Sequence, residues 1–352
     1  RHQLKDRNAP VRDKSGFFKI GIIVLAAAII VMAVMLLAPE DTEPVRPAEE
    51  SVSAETESTG GNKDKWAEGV VTYNGKNYKY NTSVKTYLFM GIDREGPVTK
   101  VGPDENGGQA DVLFLLVVDG KSESMKVIAI NRNTMAQIDL YDDEGKHLGT
   151  GMGQICLQHA YGDGMGQSCR RTVTAVSRLF EGIPISGYIA MNLDGIRPMN
   201  HSVGGVTVTI EEDYTTGDGA YTFKAGETRK LTDDEAYVFI RSRDTGAFAS
   251  ADARLRRETL YMNAFLTQFR DAMRKSVGKA ASLFKAVESY TVASIDAVSL
   301  AEKIYDYAYT DEDMLTPEGE TVMDAEGVFE EFHPDPEAMK ALIFDVFYVE
   351  AE

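Results

Sequence analysis

Seven side chains have the types and placement to hold a charged ligand: Asp93, Asp111, Arg132, Arg241, Arg243, Arg254 and Arg257. Arg132 stands between two asparagines at the end of "MKVIAI", a run apolar enough for a strand covered on both faces. Arginine is rarely buried alone. Arg132 therefore either reaches solvent from the strand tip or meets an anion there. The other four arginines fall within "FIRSRDTGAFASADARLRRETLYM", where acids are sparse (Asp244, Asp252 and Glu258). A planar guanidinium fork suits phosphate oxygens in two-point contact, which lysine cannot reproduce. Arg256, in the same stretch, reads as one member of a solvated face of ion pairs.

Strands are predicted from apolar runs at 86–92, 112–118, 126–130, 187–191 and 204–210. Short connections make the first three an antiparallel meander. The start of 112–118 then adjoins the ends of its neighbours, bringing Asp93, Asp111 and Arg132 to one sheet edge. Ligands of such sheets bind on the loops beyond strand ends. Helices are predicted over "SCRRTVTAVSRLFEG", with Gly182 past its end, near Asp194, and along "ADARLRRETLYMNAFLTQFRDAM". Another follows Thr232, with Glu235 completing a capping box. Strands alternating with helices indicate an α/β or mixed α+β sheet sandwiched by helices.

The chain of 352 residues is 43% hydrophobic and carries a net charge of -18, which excludes general nucleic-acid binding. Residues 1–19 hold six basic and two acidic side chains, a basic tail. Residues 20–38, "IGIIVLAAAIIVMAVMLLA", have no charge, and at about 1.5 Å per residue they reach across a hydrocarbon core of about 30 Å. The run exceeds a signal-peptide core and no A-x-A-like cleavage site follows it. It is predicted to be a single membrane helix. The positive-inside rule puts the tail in the cytoplasm and the remainder outside the cytoplasmic membrane. Residues 39–65, acidic and rich in Pro, Ser and Thr, read as a disordered stalk, leaving 66–352 as the folded domain. Cys156 and Cys169 are the only cysteines; a bridge between them is permitted outside the membrane, and spacing does not decide it.

Seven segments, "YLFMGID", "GGQADVLFLLVVD", "INRNTM", "HAYGDG", "VGGVTVTI", "YVFIRSR" and "ARLRRETLYM", follow one another in an order that resembles the LytR-CpsA-Psr family, behind the single membrane helix typical of it. The likeness is firm over 86–262 and looser through "EEFHPDPEAMKALIFDVFY". It implies a three-layer α/β/α sandwich around a mixed central sheet, with an apolar groove for a prenyl chain. It further implies transfer of a glycopolymer from a polyprenyl-pyrophosphate carrier to peptidoglycan. Carried over by motif, Asp93 and Asp111 are the carboxylates for Mg²⁺. Arg132, Arg241, Arg243 and Arg254 are the diphosphate clamp, and Arg257 is the second arginine of an R-x-x-R-Q pattern. Asp111, Arg132, Arg241 and Arg243 would carry catalysis, with Asp111 weighed as acceptor of the sugar hydroxyl proton.

This chain departs from the family at several positions. Asn133 stands where an aspartate is usual, Gln109 where arginine is common, and Glu258 in place of glutamine. The D-x-x-R spacing is broken, because Asp252 lies two residues before Arg254. These changes point toward weakened catalysis. They motivate a second reading, a noncatalytic polyprenyl-phosphate-binding scaffold or regulator of cell-wall assembly. His159 reads as a packing residue, and Met262 and Met273 as core or the wall of a lipid groove.

Overall fold

A computed structural model describes residues 69–102, 105–243 and 247–351. The basic tail, the membrane helix expected at 20–38 and the stalk lie outside the described residues.

Six strands form the central sheet, in the order Thr291–Ala293, Gly187–Asn192, Val84–Ile92, Ala110–Asp119, Ser124–Ile130, Met314–Leu315. Val84–Ile92 and Ser124–Ile130 both pair antiparallel with Ala110–Asp119, as the short connections require. Gly187–Asn192 joins Val84–Ile92 in parallel, after a crossover through the helix Gly166–Leu179. The sheet is therefore mixed. The predicted strand at 204–210 shrinks to Thr207–Thr209, since Gly204 and Gly205 take φ of 77° and 95° and turn the chain.

Alternation of side chains divides the sheet into two buried faces. Leu88, Met90, Leu113, Leu115, Ile128 and Ile130 pack against Val173 and Val176 of the helix Gly166–Leu179 and against Ile343 and Phe347 of the helix Pro336–Phe347. On the other face Phe89, Phe114, Val127 and Ala129 meet Leu255, Met262 and Leu266 of the long helix Ser250–Lys275. That is the expected three-layer sandwich. Burying each Leu-sized side chain stabilises it by about 1.5–3 kcal/mol.

The helix Asp233–Arg241 starts on the predicted capping box, with Thr232 accepting from Glu235 N and Glu235 reaching back to Thr232 N. Three hairpins were not legible from apolar runs. They are Val70–Tyr73 with Lys76–Tyr80, Met135–Tyr141 with His147–Gln154, and Gly319–Met323 with Glu330–Pro334. Cys156 and Cys169 are both buried and free, so the permitted bridge is not made.

Candidate functional site

Asp111 owes its direction to a break in the sheet. Gly91 pairs with Val112, but Ile92 pairs with Ala110, so Asp111 is the extra residue of a β-bulge. Bulges re-aim side chains; strict alternation would send Asp111 to the face of Leu113, whereas it lines the same cavity as Val112. Gly91 makes the bulge possible, because a Cβ there would fall 2.8 Å from Val112 Cβ.

Arg132 occupies a tight turn. Thr134 N donates to Asn131 O at 3.0 Å, and Asn133 N donates to Asn131 Oδ1 at 2.9 Å. Asparagine is favoured at the first position of such turns because its side chain satisfies the amide two residues on. The turn points the Arg132 guanidinium at Asp111, with Nη1 2.9 Å from Oδ1. Arg254, on the first turns of the long helix, places Nη1 2.9 Å from Asp111 Oδ2 and Nε 3.1 Å from Glu258 Oε1. The result is an alternating chain of charge, Arg132–Asp111–Arg254–Glu258. Gln109 ties it to Asp93, donating its N–H to Asp93 Oδ1 at 2.6 Å while its side-chain oxygen accepts from Arg132 Nη2.

Asp93, Asp111, Arg132, Arg241, Arg243 and Arg254 share one cavity of about 680 Å³, so six of the seven residues singled out in the sequence converge. Arg241 stands on its rim, 51% exposed, 3.7 Å from Glu95. Arg257 is the exception and a correction. Its Nε donates to Phe239 O at 3.0 Å and its Nη2 to Ser242 O, and its guanidinium lies 4.0 Å from the Tyr214 ring centroid. These contacts use it to fasten the end of the helix Asp233–Arg241 to the long helix, outside the cavity lining. His159, expected to be structural, is buried and bonds to Gly108 O through Nδ1 at 2.8 Å.

The electrostatics suit an incoming anion. Burial, together with the neighbouring guanidiniums of Arg254 and Arg132, lowers the proton affinity of Arg243. Arg132 Nε and Arg254 Nη2 are buried with no hydrogen-bond partner. Unmet donors of this kind are costly unless a ligand accepts from them. On the acidic side, the protein mass around Asp93 thins the water at its carboxyl and pushes it above the usual range; the charge of Asp111 adds to this and the Gln109 N–H opposes it. Asp111 Oδ1, close to Arg132 but off the hydrogen-bond axis, is a buried acceptor without a hydrogen-bond partner. No cluster of three metal-ligating side chains occurs among the described residues. Asp111 has both oxygens against guanidiniums, and Asp93 Oδ1 accepts from the Gln109 N–H.

Behind the polar mouth lies a second, almost wholly apolar chamber of about 220 Å³, between the sheet face bearing Phe114 and Leu116 and the helices Ser250–Lys275, Lys279–Val287 and Ala297–Ile304. Phe89, Phe114, Met191, Met199 and Met262 belong to both linings. The two spaces therefore adjoin across these five side chains. Nothing in the motifs signals Gln109 as a link between Asp93 and Arg132, nor the Tyr214–Thr215 and Thr222–Phe223 hairpin, whose tip adds Thr216, Gly217 and Asp218 to the mouth. Glu258 was visible only as a departure; the structure puts it in the lining, 4% exposed.

Solved structures share this fold. B. subtilis TagV superposes with a TM-score of 0.58 at 23% identity, covering 76% of this chain and 96% of that one. A structure described as TagT bound to LI-WTA gives 0.56 at 18% identity, covering 75% and 90%. Among curated proteins, the polyisoprenyl-teichoic acid–peptidoglycan teichoic acid transferase TagU of Halalkalibacterium halodurans is 30% identical over 187 residues, 52% of this chain and 54% of that protein. Its Bacillus cereus counterpart is 31% identical over 157 residues, 43% of this chain and 46% of that protein. The chain spans about half the length of the curated relatives it matches. The sequence profile of the LytR_cpsA_psr family matches residues 47–333, and the chain belongs to that family.

Proposed function

We propose that this protein transfers a glycopolymer from a polyprenyl-pyrophosphate carrier to peptidoglycan, at the outer face of a cytoplasmic membrane that its residues 20–38 span. The observation that carries the reading is an arginine-lined mouth adjoining an apolar chamber, with five side chains lining both. A diphosphate joined to a prenyl tail is the kind of ligand that needs both. The names of the curated relatives, which act on teichoic acid and peptidoglycan, support the same reaction class.

In the reaction the oxygen of a peptidoglycan sugar hydroxyl attacks the phosphorus that bears the glycopolymer. The bond from that phosphorus to the bridging oxygen breaks, the electron pair leaves with the lipid monophosphate, and the hydroxyl proton passes to the leaving phosphate or to water. Arg132, Arg243 and Arg254 are aimed where charge collects on the bridging and leaving oxygens, and buried donors held in place beforehand stabilise such charge strongly. Arg241, at the rim, draws the anion in. Asp111, with both oxygens against guanidiniums, is suited to holding the arginines apart and in register rather than to taking the proton. Mg²⁺ held by Asp93 and Asp111 would neutralise phosphate charge. The prenyl tail fills the chamber and fixes the depth at which the diphosphate sits.

The test uses the full chain in lipid vesicles with labelled lipid-linked glycopolymer and peptidoglycan. Attachment of label with release of lipid monophosphate, lost in Arg132→Ala, is expected. Tight retention of the donor lipid with no release in Mg²⁺ would overturn transfer in favour of a noncatalytic scaffold.

A further inference from the structure

Both asparagines flanking Arg132 donate to an acid from a distant element. Asn131 Nδ2 lies 2.5 Å from Asp252 Oδ1, and the second oxygen of Asp252 accepts from Thr321 Oγ1 at 2.7 Å. Asn133 Nδ2 makes a longer contact of 3.4 Å to Glu330 Oε2, while its carbonyl accepts from Phe332 N at 2.9 Å. Asp252 thus joins three elements: the Arg132 turn, the first turn of the long helix that carries Arg254, and the hairpin strand Gly319–Met323.

Amides serve this arrangement better than acids would. A carboxylate at 131 or 133 would sit beside Arg132 and offset the charge that an anion needs. An asparagine relays the hydrogen bond and leaves the negative charge one residue further away, on Asp252. Asn131 is itself the residue whose Oδ1 and carbonyl close the turn. Whatever fixes the Asn131 amide therefore fixes where the Arg132 guanidinium points.

We propose that Asp252 is a positioning residue for the anion site, acting on Arg132 through Asn131 and holding the Arg132 turn and the Arg254 helix in one register. It rests on the diphosphate reading only for the identity of the anion. Charge-assisted hydrogen bonds at these lengths are among the stronger ones available to a side chain, and a displacement of about 1 Å at a catalytic group can cost about a hundredfold in rate.

The experiment measures two things on the full chain: affinity for inorganic pyrophosphate by calorimetry, and hydrogen exchange of the Asn133 and Thr134 amides. In Asp252→Ala, exchange at both amides is expected to quicken and pyrophosphate affinity to fall about tenfold, within the range a misplaced binding group costs. The exchanged pair Asn131→Asp with Asp252→Asn rebuilds the hydrogen bond and is expected to restore slow exchange but not affinity, because an acid now adjoins Arg132. In an Arg132→Ala background, Asp252→Ala is expected to cost clearly less affinity than in the parent, the remainder reflecting its hold on the Arg254 helix. An additive loss there, or unchanged exchange in Asp252→Ala, overturns the proposal. If the unaltered chain fails to bind pyrophosphate, the diphosphate reading falls, and the exchange rates still decide the role of Asp252.

Discussion

Arg254 Nη1 and Asp111 Oδ2 lie 2.9 Å apart although 143 positions separate them in the chain. Asp111 also faces Arg132, so one carboxylate touches two largely buried cations, with Glu258 as a second partner of Arg254. Breaking a buried pair by removing one partner costs about 3–5 kcal/mol, because the remaining charge is stranded. Asp111→Asn is expected to lose a similar amount of stability without ligand. Added pyrophosphate should then raise the melting temperature of this variant more than that of the parent. Equal shifts would mean that the two arginines do not face the anion site.

Arg241 and Arg257 should separate binding from folding. Arg257→Ala removes donors to the carbonyls of Phe239 and Ser242 and is expected to destabilise the domain by about 3 kcal/mol, the scale of several lost buried hydrogen bonds. Arg241→Ala, at an exposed rim position, should leave the denaturation midpoint unchanged and slow pyrophosphate association, most visibly at low salt. Urea melts and stopped-flow binding give the two readings. An unchanged midpoint in Arg257→Ala would contradict its fastening role.

Two buried groups predict opposite slopes of stability against pH. Burial pushes the Glu258 carboxyl up to about 7, against the pull of Arg254. A raised folded value means that the native state holds a proton the unfolded chain has lost. Glu258 therefore favours folding in acid and loses that contribution as pH rises through about 7. Burial pulls His159 down to about 4, against its hydrogen bond to Gly108, so its contribution is complete above the ordinary histidine range and is lost as pH falls through about 4. Glu258→Gln is expected to flatten the decline in stability between about pH 5 and pH 8, where a tenfold difference in proton affinity between the folded and unfolded chain is worth about 1.4 kcal/mol. Denaturation midpoints across that range test it, and an unaltered slope would remove Glu258 as the titrating group.

The apolar chamber and the polar mouth should be separable by filling one of them. Ala301 lines the chamber and not the mouth. Ala301→Phe is expected to weaken binding of a long-chain prenyl diphosphate by tenfold or more, about 1.4 kcal/mol, and to leave affinity for inorganic pyrophosphate unchanged. Equal loss for both ligands would show that the tail does not occupy the chamber.

The sheet and most of the site were legible because their signals are local. Continuous apolar runs marked the strands around Leu88, Leu115 and Ile128, and short connections fixed their directions, which brought Asp93, Asp111 and Arg132 together. The bulge at Asp111 was not legible, since it depends on how closely Gly91 approaches Val112. Nor was the division of labour between Arg254 and Arg257. Three residues apart on one helix they differ by about 60° in direction, and only the packing decides which meets the cavity and which meets the carbonyls of Phe239 and Ser242. The displaced Asp252 read as a broken motif, because its partner Asn131 lies 121 positions away.

Methionine supplies three of the five side chains that border both spaces: Met191, Met199 and Met262. Unbranched thioethers remould around whatever adjoins them, so this border is the compliant part of both linings. If a prenyl tail occupies the chamber as proposed, carriers that differ in tail saturation or double-bond geometry should be accepted alike, leaving discrimination to the guanidinium array of the mouth.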